Sequence, residues 1–86
     1  MAIQQKRVTI TTTPTLILGN GESPLVVKVH NTSGNAIYLG GGDVTSASGY
    51  HLESTESLDI TLVHSNSLYG VTASGSHAIT VLWQVL

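Results

Sequence analysis

Ser57-Leu58-Asp59-Ile60-Thr61-Leu62-Val63 is the stretch whose reading decides the fold class. In an extended chain successive side chains point to opposite sides, so Leu58, Ile60 and Leu62 share one face and Ser57, Asp59 and Thr61 the other. A helix would scatter the same residues around its axis, and the segment therefore reads as a half-buried β-strand. Upstream, Pro24 to Asn31 repeats the pattern, with Leu25, Val27 and Val29 on one face and Val26, Lys28 and His30 on the other. Downstream, His64-Ser65-Asn66 turns the chain into Leu68 to Ala73, and Ser74-Gly75-Ser76 turns it into a last strand from His77 to Leu86. Small polar residues and glycine at these joints suit tight turns.

The rest of the chain follows the same period. Val8 and Ile10 alternate with Arg7, Thr9 and Thr11, and this first strand ends at Pro14. Thr15-Leu16-Ile17-Leu18 is a short apolar run closed by the turn residues Gly19-Asn20-Gly21-Glu22. Asn31-Thr32-Ser33-Gly34-Asn35 leads into Ala36-Ile37-Tyr38-Leu39, which predicts a hairpin between the flanking strands. Gly40-Gly41-Gly42 then breaks the sheet as a tight crossing between two sheets, Asp43 to Gly49 is a loop, and Tyr50 to Glu53 is a short strand. No window has a helical period. About eight short strands at roughly ten-residue spacing predict an all-β fold, a small antiparallel β-sandwich or jelly-roll-like barrel. Its expected core is Leu25, Val27, Val29, Leu58, Ile60, Leu62 and Val81; residues 8–86 form the single domain and residues 1–7 a candidate N-terminal arm.

With 86 residues the chain supports one core and buries only about 60–65% of its unfolded surface. Chains of this size usually need cross-links, a metal or other subunits. Cysteine is absent, which removes disulfides, thiolate metal sites and cysteine nucleophiles; association with other subunits is the expected support. Charged residues make up 9% of the chain, and Lys6, Arg7 and Lys28 are its only lysines and arginines. That is too little to neutralise a phosphate backbone, so nucleic acid is not an expected partner. The start, Met1 to Arg7, carries its charges after the first apolar residues with no apolar run behind them, unlike a signal peptide. No stretch approaches the about 18 apolar residues of a membrane span, and no membrane partner is expected.

The chemistry-bearing residues are scattered. His30, His51, His64 and His77 lack the spacing that sets two imidazoles on one side of an element, so no metal and no cofactor is expected. There is no Gly-x-Ser-x-Gly elbow. Glu53 and Glu56 flank a loop and read as solvated acids, not a glycosidase pair. Gly40-Gly41-Gly42-Asp43 lacks the Lys-Ser/Thr and the helix of a phosphate loop. Asn31-Thr32-Ser33 fits a glycosylation acceptor, but without a secretory signal it reads as a turn. No catalytic residue is assigned, and the chain is expected not to be an enzyme.

The segments Val29 to Thr45, Gly49-Tyr50-His51-Leu52, Glu56-Ser57-Leu58 and Leu68-Tyr69-Gly70-Val71 together resemble a pattern in small structural proteins of tailed phages. Its centre is Tyr38-Leu39-Gly40-Gly41 followed by Val44-Thr45, with the later Gly49 to Leu52 and Leu68-Tyr69 elements. The resemblance covers roughly residues 25–86 and implies a β-sandwich used for capsid decoration or in tail and fibre proteins. Related sequences often carry a glycine just before the position of Glu56, where this chain has Ser54-Thr55. The expectation is a virion structural protein on the outer capsid surface, made in the host cytoplasm, whose partners are the major capsid protein and itself, as a trimer. The alternatives are a tail or head–tail joining component, or a carbohydrate-binding module using Tyr38, Tyr50, Tyr69 and Trp83. In the last strand Ile79, Val81, Trp83 and Val85 share one face and Leu82 and Leu86 the other, so both are apolar. The candidate protein interface is accordingly Lys6, Arg7, Leu82, Trp83 and Leu86.

Overall fold

In a computed structural model, residues 3–19, 24–63 and 66–85 are described. They form eight strands and no helix: β1 (Gln4–Ile10), β2 (Thr15–Gly19), β3 (Leu25–His30), β4 (Ile37–Gly40), β5 (Tyr50–Leu52), β6 (Ser57–Leu62), β7 (Ser67–Val71) and β8 (His77–Val85). Two four-stranded sheets pack face to face, one ordered β1-β8-β3-β6 and the other β2-β7-β4-β5. All pairings are antiparallel. This strand order is that of a jelly roll, in which the chain passes from sheet to sheet at nearly every connection and two Greek keys close over one core.

The alternation read from the sequence sets the two faces of each strand. Leu25, Val27, Val29, Leu62 and Val81 are buried, with Leu58 and Ile60 half-buried against them. Ile10, Ile17, Ile37, Leu39, Leu52, Leu68 and Ile79 complete the interior. In β2, two consecutive residues, Ile17 and Leu18, both enter the core. A bulge between Leu16 and Leu18 makes this geometrically possible, because the extra residue lets the strand present the same face twice. Opposite it, Gly70 leaves room for the side chains to meet: a Cβ there would lie 3.0 Å from Ile17 Cδ1 and 3.3 Å from Ile10 Cδ1.

Three expectations are corrected. Asn31 to Asn35 does not close a hairpin, since β3 pairs with β6 and β8 whereas β4 pairs with β5 and β7 in the other sheet. Gly40-Gly41-Gly42 does not cross between sheets, because β4 and β5 are neighbours in one sheet. The loop after Gly40 instead folds back over the outer face of that sheet, where Val44 is buried away from the main core. Gly40 and Gly49 permit this, since a Cβ on either would lie within 2.9 Å of Val44 Cγ2. Finally, Gln4 to Arg7 are not a free arm: they lie in β1 and pair with Thr80 to Trp83 of β8. The expected turns at residues 20–22 and 64–65, and Leu86, lie outside the described residues.

Asn31 is the polar residue that locks the crossing from β3 to β4. It is fully buried. Its Nδ2 donates to the carbonyls of Asn35 (2.7 Å) and Leu52 (3.0 Å), and its Oδ1 accepts from the Ser33 amide (3.0 Å) and hydroxyl (2.7 Å). Both hydrogens of the amide nitrogen are thus committed, and in the folded protein it is unavailable as a glycosylation acceptor. Its backbone holds the β5–β6 turn, accepting from Thr55 N at 2.8 Å and donating to Glu56 O at 2.9 Å. Within that turn Thr55 takes a left-handed backbone, φ 69°, the conformation glycine adopts without cost.

Candidate interaction surface

The outer face of the β1-β8-β3-β6 sheet is built by alternation and register together. The pairings place Gln5, Leu82, Lys28 and Asp59 in one row across the four strands. Arg7, Thr80, His30 and Ser57 form the next row. A shallow groove of about 760 Å³ runs along these two rows, between β1 and β6. An adjoining hollow of about 140 Å³ shares Leu82 and Lys28 and adds Ile3, Val26 and Gln84. Leu82 sits at the centre on an interior strand and is 44% exposed, while Ile3 is 59% exposed. Burying the second face of β8 within its own domain would have covered Leu82; here it faces outward.

The charge distribution is uneven. Arg7 and Lys28 face outward on this sheet together with one acid, Asp59, whose carboxylate lies 3.8 Å from Lys28 Nζ. Both partners are more than half exposed, so the pair contributes little stability and can be rearranged. Asp43, Glu53 and Glu56 belong to the β4–β5 loop and the β5–β6 turn. Glu56 Oε1 accepts the Glu53 amide at 2.8 Å, a turn-closing contact.

Of the five residues expected at an interface, four border the groove or the hollow beside it, from different sides of the sheet. Arg7 and Leu82 lie on the groove face. Trp83 and Lys6 alternate toward the core-facing side of the same sheet, where Trp83 packs against the core and Lys6 Nζ sits 5.6 Å from its ring centroid, yet Lys6 also borders the groove and Trp83 the adjoining hollow. Leu86 lies outside the described residues. Sequence reading missed Gln5, Lys28, His30 and Thr80 as companions of Leu82. Alternation alone puts Lys28 and His30 on one face of β3, but which strands flank β3 is decided by the jelly-roll order.

The other polar clusters are structural. His51 stacks on Tyr38, ring centroids 4.9 Å apart, and its Nε2 lies 3.1 Å from Glu53 Oε2. His77 Nε2 lies 3.0 Å from the Ser74 carbonyl and 3.2 Å from Asn35 Nδ2. Among the described residues no three histidine or carboxylate side chains gather to hold a metal ion.

No protein-family model matches the chain. No curated protein matches it. A solved structure from work describing Bacillus endospore appendages as a family of disulfide-linked pili is similar in fold, with a TM-score of 0.53 over 98% of this chain and 88% of that one. Identity is 13%, so the likeness is one of fold. The present chain has no cysteine and cannot form disulfide links.

Proposed function

We propose that this chain is a non-enzymatic structural protein of a tailed-phage particle, a decoration subunit that seats the outer face of its β1-β8-β3-β6 sheet on the capsid and stabilises the lattice. The observation that carries the reading is the groove with exposed Leu82 at its centre and Arg7, Lys28 and His30 around it. Protein-binding surfaces combine an apolar centre that loses water with a polar rim that sets orientation. The jelly roll supports the reading, since that architecture recurs in viral capsid domains, although it also serves lectins and cupins. The phage assignment rests on the resemblance of residues 25–86.

Strand spacing and rise give this face a footprint of roughly 400 Å², about half of one partner's share in a standard interface. A single copy is therefore expected to bind weakly, and copies held side by side on a repeating lattice to bind well through multivalency. The partners are the major capsid protein and further copies of this chain, a trimer matching the threefold positions of a capsid. The location is the outer capsid surface.

The test has two parts. Particles should carry the protein on DNA-filled heads in numbers comparable to the major capsid protein, and particles lacking it should release DNA at lower temperature. Leu82→Glu should abolish binding to stripped heads while circular dichroism and melting stay unchanged, because Leu82 faces solvent. Finding the protein only in purified tails, or finding that Leu82→Glu binds heads normally, would refute the reading.

A further inference from the structure

We infer that copies of this chain join head to tail, the β1 edge of one pairing with the β6 edge of the next to continue the β1-β8-β3-β6 sheet. Each sheet has two edges, and they differ in fitness for pairing. In the other sheet, β5 has three residues and β2 is interrupted by its bulge; short and bulged edges resist pairing with another chain. β1 and β6 are seven and six residues long, and their registers with β8 and β3 run without a shift. Among the described residues no further strand lies beyond either.

Direction and charge then select the pairing. Four strands that alternate in direction leave β1 and β6 antiparallel to each other. A second copy displaced sideways in the same orientation therefore lays its β1 antiparallel to β6, and every pair in the extended sheet is of one kind. Self-pairing of either edge is disfavoured: β1 carries Lys6 and Arg7 and no acid, and β6 carries Asp59 and no cation. Like charges opposed across strands repel, and opposite charges attract.

The register follows from faces. Arg7 and Asp59 both point to the outer face of the sheet, so Arg7 is set opposite Asp59 of the neighbouring copy. Val8 then meets Leu58 on the core side, where both are only half-buried in one copy, and Thr9 meets Ser57. The contact is heterologous, closing into a ring or running on according to the rotation between copies. It leaves the groove face free and joins the grooves of neighbouring copies into one larger surface. The inference stands apart from what that surface binds, so it is measured on purified protein without particles.

Sedimentation velocity of the full chain and of two exposed-site variants, Arg7→Asp and Asp59→Arg, tests it, with circular dichroism confirming that each folds. The parent chain should associate reversibly. Each variant alone should associate about five- to tenfold more weakly, the scale of a cross-strand charge pair turned repulsive. An equimolar mixture should recover. There the aspartate introduced into β1 of one variant faces the arginine introduced into β6 of the other, and the unaltered Arg7 and Asp59 face each other at the alternate contact. A parent chain that stays monomeric at the highest attainable concentration overturns the inference. So does a mixture no better than its components, or an Asp59→Arg variant that associates normally, which would indicate β1 self-pairing.

Discussion

Asn31→Ala is the substitution through which the architecture is most directly tested, because one buried side chain ties the β3–β4 crossing to β5. Four hydrogen bonds are lost. The Leu52 carbonyl is buried, and a buried acceptor that loses its partner costs about 1–3 kcal/mol. The Asn35 carbonyl still accepts from the Ser33 hydroxyl at 2.9 Å, and the Ser33 amide is partly exposed, so these add only about 0.5 kcal/mol each. The sum is about 2–4 kcal/mol, a large part of the roughly 4–13 kcal/mol expected for a domain this size. It should lower the melting temperature by roughly 8–30 °C. Urea denaturation followed by the fluorescence of Trp83, the one tryptophan, measures it at fixed protein concentration. Asn31→Asp is the discriminating control. It keeps an acceptor toward Ser33 but turns a second carboxylate oxygen on two carbonyls, so at neutral pH it should cost more than alanine. Burial raises that carboxyl's folded-state pKa above its unfolded one, so the variant regains stability as pH falls and the acid protonates. A loss under about 1 kcal/mol for Asn31→Ala would fall below even one neutral buried bond and refute the reasoning, as would an aspartate tolerated as well as alanine at neutral pH.

Two further substitutions address backbone and packing. Thr55→Gly removes a β-branched side chain from a left-handed position worth about 1–2 kcal/mol at an unfolded-state entropy cost of about 0.4–1 kcal/mol. The net gain, about 0.8 kcal/mol at the centre of these ranges, should raise the melting temperature by roughly 3–6 °C, and a lowered value would show that the turn depends on the threonine side chain. Gly49→Ala should destabilise by about 1–3 kcal/mol, since its Cβ would stand 2.7 Å from Tyr38 Cβ and 3.0 Å from the Thr45 carbonyl, neither of which can swing aside. Amide exchange should then quicken in the loop of residues 41–49 and not in β3 or β8, and an unchanged exchange pattern would refute the close fit of that loop.

Strand positions and inward residues were legible because a two-residue period needs no knowledge of neighbours. Ser57 to Leu62 and Leu25 to His30 each declare their own core face, and the turn residues around them declare where strands stop. The paired entry of Ile17 and Leu18 was not legible, since a bulge is a relation between two strands. Nor was the role of Asn31, which looks like any turn asparagine until Leu52, distant in sequence, arrives above it.

The candidate surface divides in the same way. Leu82 could be set opposite Val81 and Trp83 from alternation alone, and Arg7 could be named as one of few cations. That Arg7 belongs to a paired strand, that Lys6 turns to Trp83 on the other side, and that Lys28 and His30 flank Leu82 depend on which strands are neighbours. The sequence by itself determined the period, the turns and the aliphatic inventory of the core, all set by local sterics and side-chain solubility. Only the tertiary structure decided the sheet order, and with it the groove and which strands stand at the edges. Antiparallel pairing between strands distant in sequence is selected by global packing, and residues 31–35 are as compatible locally with a hairpin as with the crossing they make.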